Sequence, residues 1–450
     1  MSLATIILAA GQGKRMQSDL PKVLHEVGNA SMLAHVMATS RQLDAERCVV
    51  VVGHGAEAVT AAVHDIDPDV EIAMQTNQNG TGHAVAQAMP ALAGFSGDVL
   101  VLYGDTPLIT PEAITQMQAA RESGAAVVVL GFQNPPGGYG RLVCDVLGAL
   151  EAIVEAKDAD PGTYALTLCN SGVMLAAGDL MAELVAGLVP SATTDELYLT
   201  DIVAAARTLN LPCAVVECDA AETEGVNSRA DLARVEAAFQ ARARARALAD
   251  GVTMQAPETV LFSQDTALGR DVVVEPNVIF AAGVSVESGA RIRAFSHLEG
   301  CHVAADAIVG PFARLRPGAE IGVGAKIGNF VEIKEAIIED GAKVNHLSYV
   351  GDAIIGARSN IGAGTIFCNY DGVFKHQAVL GEDVFIGSNS SLVSPVTIGN
   401  GAMVGSGSVI TSNVAAGDLA ISRGRQVNKP GLGAKFMARL RAMKTAGKRP

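Results

Sequence analysis

Val303, Val309, Leu315, Ile321, Ile327 and Ile333 recur at every sixth position, and Ile386, Leu392, Ile398, Val404 and Ile410 repeat the pattern. A period of six matches neither an α-helix nor an isolated strand. A chain that keeps such a period stacks short strands into a solenoid, each coil burying a narrow aliphatic core against the next. Ala307, Ala313, Ala319 and Ala325 stand two places before an aliphatic, and glycine often follows it, as at Gly310, Gly322, Gly328, Gly387 and Gly399. The next position, held by Pro311, Pro317, Val323, Asn329, Asn400 and Ser406, reads as a corner. His346 takes that place after Val344, so its imidazole is expected outside the core.

Two departures from the repeat carry charge. Arg316 and Lys334 replace the usual glycine one coil apart, so they are expected on one edge about 4.8 Å from each other. Such a pair calls for an anion between the cations, or for pairing with Glu332 or Glu335. Ser388 and Ser406 form a similar polar stack, and between Ile361 and Ile386 the stretch CNYDGVFKHQ breaks the period and is expected as a protruding loop.

The first half follows another rule. The apolar bursts TIILAAG, RCVVVVGHG, VLVLYGD and AAVVVLGF, each followed by amphipathic sequence, have the βαβ rhythm of a parallel sheet. Ligands of such sheets bind beyond the carboxyl ends of the strands, which singles out Gly11, Gly53 and Asp105. The expected organisation is an α/β domain over residues 1–229, a solvated helical linker over 230–250 and a solenoid over 251–450.

Charge and composition exclude other classes. A net charge of −14 argues against a nucleic-acid or membrane-surface binder. Seven cysteines without paired spacing point to reduced thiols, and no run approaches the ~20 apolar residues of a membrane span. A soluble, cytoplasmic protein is expected.

LAAGQGKRM, Leu8 to Met16, offers glycine turns and cations to phosphate oxygens, but its spacing fits neither a Walker loop nor a dinucleotide loop. Together with PKVLH, NGTGHA, YGD, GGYGR, IVEAKDA, CNSGVM and EGVNSR, in that order, it resembles the sugar-nucleotide pyrophosphorylase family over residues 1–229. The resemblance implies a Rossmann-like nucleotidyltransferase domain with a mixed, mostly parallel sheet. Its reaction joins a sugar 1-phosphate to the α-phosphorus of a nucleoside triphosphate and releases pyrophosphate. Asp105 and Asn227 match Mg²⁺ ligands, and Arg15 and Lys22 match catalytic, phosphate-facing cations. Leu8, Ala9, Ala10, Gly11, Gln75, Gly80 and Thr81 match the uracil-reading side, with Tyr103 and Gly104 preceding the metal aspartate. Gly140, Glu155 and Asn170 match the amino-sugar side.

The repeats resemble the left-handed parallel β-helix of hexapeptide-repeat acyltransferases, with three hexads to a triangular coil. With RLRPGA, VEIKEA, VNHLSYVGD, SNIGAGT, FIGSNS and LAISRG added, the whole chain is similar to the bacterial family of bifunctional enzymes that make UDP-N-acetylglucosamine. This implies acetyl transfer from acetyl-CoA to glucosamine 1-phosphate, then uridylyl transfer from UTP to N-acetylglucosamine 1-phosphate. His346 matches the general base. Arg316, Lys334, Tyr349, Asn360 and Lys375 match sugar-phosphate contacts; Ala363, Asn369, Tyr370, Ser388, Ser406 and Arg423 match the acetyl-CoA side. A homotrimer with acetyltransferase sites between subunits is also implied. Two rivals stand beside this reading: a passive β-helix that only oligomerises the chain, and a zinc site built on His297 and His302. The basic tail is expected as a solvated helix or as a contact for coenzyme phosphates.

Overall fold

The computed structural model describes residues 2–191 and 194–447. Two compact units are resolved: Met1–Ala249 with Leu261–Thr266, and Asp250–Val260 with Ala267–Pro450.

The first unit is built on a nine-stranded sheet. Its strands are β1 (Leu3–Leu8), β2 (Arg47–Val52), β3 (Glu71–Met74), β4 (Asp98–Tyr103), β5 (Val127–Gln133), β6 (Arg141–Cys144), β7 (Leu150–Val154), β8 (Leu168–Ala177) and β9 (Cys213–Cys218). The spatial order is β9-β5-β8-β4-β1-β2-β3, with the β6-β7 hairpin attached to β8. β1 runs parallel to β2 and β4, whereas β8 is antiparallel to β4 and β5. The sheet is therefore mixed and mostly parallel.

The central strands read as unbroken apolar runs because helices cover both faces. Ile6, Val49, Val51, Val99 and Val101 point into one core. Ile7, Val50, Val52, Leu100 and Leu102 alternate into the other. Parallel β1, β2 and β4 therefore end on one side, where the loops after Leu8, Val52 and Tyr103 converge.

The segment expected as a solvated linker is a helix, α1 (Arg229–Ala249), packed on this unit. It buries Val235 and Gln240; the Gln240 amide donates to Phe262 O at 2.7 Å, and Arg242 Nη1 donates to Leu108 O at 2.9 Å. The alternating Arg242, Arg244 and Arg246 suggested a solvated helix, but they follow the two buried positions and do not describe that part of it.

In the second unit short parallel strands stack in three columns. One runs through Val273–Val274, Arg291–Ile292, Ile308–Val309, Lys326–Asn329 and Lys343–His346. A second runs through Ser285–Val286, Cys301–Val303 and Ala319–Ile321. The third runs through His297–Leu298 and Arg314–Leu315. Glu332–Ile338 and Tyr349–Ile355 each turn a corner and join the second and third columns. Val309, Leu315, Ile321, Ile327 and Ile333 are buried, so every sixth residue fills the prism, as the periodicity requires. This is the left-handed hexapeptide-repeat β-helix class.

Candidate active sites

Beyond the carboxyl ends of β1 and β4 lies a cleft of about 350 Å³. Leu8 to Gly11, Lys22, Gln75, Gly80, Thr81, Tyr103 and Asp105 line it, as expected from sequence. Its glycines are needed for specific reasons. Gly13 has φ +60°, and a Cβ there would lie 2.7 Å from Lys22 Cβ; at Gly80, with φ +98°, it would lie 2.4 Å from Leu197 O. At Gly11 a Cβ would meet nothing, so the loop leaves open space beside its backbone.

The polar groups of this cleft hold one another. Lys22 Nζ contacts Asp105 Oδ2 and donates to Asn227 Oδ1 at 3.3 Å. A backbone bond from Val226 N to Asp105 O (2.9 Å) fixes this approach, and Asp231 Oδ2 accepts from the amides of Asn227 and Ser228 at 3.0 and 2.7 Å. Two side-chain oxygens distant in sequence thus share one cationic group, the Lys22 ammonium. Among the described residues no cluster of three or more His, Cys, Asp or Glu side chains could hold a metal alone. The Asp105 and Asn227 pair fits Mg²⁺, which keeps several waters and phosphate oxygens beside one or two protein ligands.

Gly140, Glu155 and Asn170 also come together. Asn170 N donates to Gly140 O at 2.9 Å, and a Cβ on Gly140 would lie 3.7 Å from Glu155 Oε2. Burial raises the pKa of Glu155, opposed by Lys157. Buried Arg141 donates to Gly137 O (3.0 Å) and Tyr164 O (3.2 Å), tying the GGYG loop to the sheet. Arg15 is exposed and does not line the cleft.

Sequence reasoning missed Gln78, Glu196 and Tyr198 in the cleft lining. Gln78 donates to Ala10 O at 2.7 Å, and Tyr198 OH accepts from Lys157 Nζ at 3.1 Å. NGTGHA was the available signal for Gln78, three residues upstream of Thr81. Nothing local marks Tyr198, which arrives from a distant segment.

On the β-helix the predicted groups divide between two corners. His346 is exposed, two places after buried Val344, and its Nδ1 lies 2.8 Å from Asn329 Oδ1 on the neighbouring strand. With the amide oxygen accepting, Nδ1 carries the proton and Nε2 keeps its lone pair outward. The carbonyls of Asn329, His346, Ala363 and Ser388 accept from the amides of Leu347, Gly364, Asn389 and Gly407 at 3.1, 3.1, 2.8 and 2.8 Å. Arg423 donates to Ser406 O. His346, Ala363, Ser388, Ser406 and Arg423 therefore mark one edge of the prism. Asn329 was read from sequence only as a corner residue.

The second corner carries cations. Lys334 lies opposite Gly351, and Lys375, on the protruding loop, reaches it. Contact with the Lys375 ammonium, aided by burial, pushes the Lys334 amine below its ordinary pKa. Asn369 Nδ2 contacts Asp352 and lies 3.4 Å from Tyr349 OH. Tyr370 follows in the same loop, its hydroxyl donating to Gly372 O at 2.6 Å. Arg316 follows Leu315, whose strand partner is Ile333, so it stands one coil from Lys334 as expected; its guanidinium donates to Glu332 Oε1 at 2.8 Å. Asn360 lies apart, on the strand beside Lys343.

The zinc rival finds no support, since His297 pairs with Arg314 in one column and His302 with Glu320 in another. His302 instead contacts Ser285 Oγ at 2.9 Å and Glu287 Oε1 at 3.3 Å. The basic tail forms α2 (Leu432–Thr445), exposed along almost its whole length. No described helix is long and apolar enough to cross a membrane.

Comparison with known proteins agrees with this division. The MobA-like NTP transferase domain matches residues 5–167, and the GMPPB C-terminal domain matches residues 297–395. The chain is 58% identical over 447 residues to a bifunctional protein GlmU of Dinoroseobacter shibae, covering 99% of each. It is 56% identical over 445 residues to that of Jannaschia sp. (99% of this chain, 98% of the relative) and 51% identical over 438 to that of Azorhizobium caulinodans (97% and 98%). With α/β cleft and β-helix matched together over nearly the full length, the chain belongs to the family of bifunctional GlmU proteins.

Proposed function

We propose that the chain makes UDP-N-acetylglucosamine in two steps, acetylating glucosamine 1-phosphate in the β-helix and uridylylating the product in the N-terminal cleft. Acetyl-CoA is the acyl donor, UTP the nucleotide, and Mg²⁺ the ion held by Asp105 and Asn227. Bound there, the ion would supply positive charge to offset that of the triphosphate and the pyrophosphate, with Asp105 and Asn227 as its protein ligands. Around it the protein positions: Leu8 to Gly11 offer backbone groups to the base, while Gly140, Glu155 and Asn170 receive the amino sugar. Lys22 meets phosphate charge within the cleft, and Arg15 does so from outside its lining. Repulsion between anions dominates this barrier, so orientation and neutralisation suffice without a protein nucleophile.

For acetyl transfer, His346 Nε2 takes the proton from the sugar ammonium. The freed amine attacks the thioester carbonyl, a C–N bond forms and the C–S bond breaks, and the second proton shed by nitrogen goes to the departing thiolate, which leaves as coenzyme A. Asn329 holds the required tautomer. Arg316, Lys334, Lys375, Tyr349 and Asn360 bind the sugar phosphate, while Ala363, Asn369, Tyr370, Ser388, Ser406 and Arg423 border the coenzyme. In one chain the imidazole edge and the lysine edge are a face apart, four extended residues or roughly 13 Å. We therefore assign the working site to neighbouring copies in a homotrimer, each supplying one edge. Exposed Phe295, Phe312 and Phe330, stacked at 4.9 and 5.2 Å, offer apolar surface for such packing. Seven unpaired cysteines suit a reducing cytoplasm.

One observation carries the two-site reading: His346 projects from a corner with Nδ1 fixed and Nε2 free, an arrangement that a passive scaffold does not need. The test is His346→Ala, with both half-reactions assayed separately. Acetyl transfer is expected to fall by about 10²–10⁴ with uridylyl transfer retained. Equal losses would overturn the assignment.

A further inference from the structure

We infer that Asp371 and His376 form a latch that positions Lys375 for the sugar phosphate. The inference rests on the acetyltransferase reading of the lysine corner and assigns roles to two residues outside the predicted site.

The lysine needs holding. Lys375 is exposed on a loop, and its ammonium contacts that of Lys334. Asp352 and Glu335 offset the repulsion only through longer-range attraction. An untethered side chain in that position would swing into solvent, where each cation keeps its own hydration.

The loop opposes this motion on both sides of Lys375. Asp371 Oδ1 accepts from the amides of Val373 and Phe374 at 2.8 and 2.7 Å, and Asp371 Oδ2 lies 2.7 Å from His376 Nε2. Phe374 and His376 flank Lys375, so one carboxylate fastens both of its chain neighbours. The hairpin is closed by His376 N to Asn369 O (2.8 Å), by Asp371 N to Phe374 O (3.2 Å) and by a bridge between Tyr370 and Lys375. The His376 contact and the two amides hold the Asp371 carboxyl at about 2, so the anchor is ionised throughout the neutral range. His376 thus acts through the geometry of Lys375 and is a positioning residue, not a catalytic one.

The experiment measures kcat and KM for glucosamine 1-phosphate in the full-length protein at saturating acetyl-CoA, with uridylyl transfer as an internal control. His376→Phe removes the contact; Asp371→Asn keeps an amide-accepting oxygen but loses the charge. Both are expected to raise KM roughly three- to tenfold, with kcat within about twofold of wild type and uridylyl transfer unchanged. His376→Gln, which retains an N–H donor, restores part of the loss. In a Lys375→Ala background His376→Phe adds no further loss, because the latch works through the lysine. An unchanged KM, an additive loss in that background, or parallel loss of both activities overturns the latch. A wild-type chain without acetyl transfer overturns the parent reading and the latch with it.

Discussion

Glu155, proposed above to receive the amino sugar, is held at a cost in stability. Burial favours its neutral form and raises its pKa. A carboxyl with a raised folded-state pKa destabilises the native protein as pH climbs from the ordinary carboxylate value through the raised one; below that window the cost is absent. Glu155→Gln keeps the shape and removes the charge. At neutral pH the variant is expected to unfold at a higher denaturant midpoint than wild type, with the difference vanishing in acid. Uridylyl transfer should lose about 10- to 100-fold in kcat/KM, the cost of one charge-assisted hydrogen bond to the sugar. A denaturation series over pH beside a kinetic assay checks both signs; a destabilised variant would show that Glu155 is held by its surroundings and not strained by them.

Loops and rungs were unequally legible. The LAAGQGKRM loop was legible only through the ordered string of motifs that follows it, because a glycine turn after a strand is just as often structural, and Gly13 now has a definite reason in its φ of +60° and the proximity of Lys22. Gly13→Ala forces a side chain into the left-handed region and against Lys22 Cβ, a strain of about 1–3 kcal/mol. Because Lys22 must then move from Asp105 and Asn227, uridylyl transfer is expected to fall at least tenfold while acetyl transfer is unaffected. Comparing the two activities in one preparation checks this, and a uniform drop would place the damage in folding. On the β-helix, period six revealed the buried column and the outward direction of His346, since both follow from stacking. It did not reveal Asn329 as the partner of that imidazole: the two are seventeen residues apart, one short of three hexads, so a strict count puts them out of register. Arg316 was left between two partners, an anion or a neighbouring carboxylate, for a related reason. Spacing locates a residue on an edge, but the rotamer that turns its guanidinium to Glu332 is decided by the charge beside it. Likewise Tyr198 reaches the cleft through tertiary folding, which leaves no local pattern to read.

For the whole molecule, the decisive feature is that one prism carries the groups proposed for acetyl transfer on separate edges. The imidazole edge holds His346, Ala363, Ser388 and Ser406, and the cation edge holds Lys334 and Lys375, with no hydrogen bond or ion pair between the two sets among the described residues. A ring of copies with head-to-tail interfaces would bring the first edge of one chain against the second edge of the next. Complementation follows from that geometry. A His346→Ala chain and a Lys334→Ala chain, each inactive in acetyl transfer alone, are unfolded together, refolded at equal concentration and assayed. In random mixed rings about a quarter of the sites pair a wild-type imidazole with a wild-type lysine edge, so about a quarter of the wild-type rate returns. The N-terminal cleft behaves differently, because Lys22, Asp105 and Asn227 contact one another within a single chain. Mixing Asp105→Asn with Lys22→Ala therefore restores no uridylyl transfer, whatever the number of copies. If the first mixture also stays inactive, each chain completes its own acetyltransferase site, and the lysine corner must reach His346 across one face of the same prism.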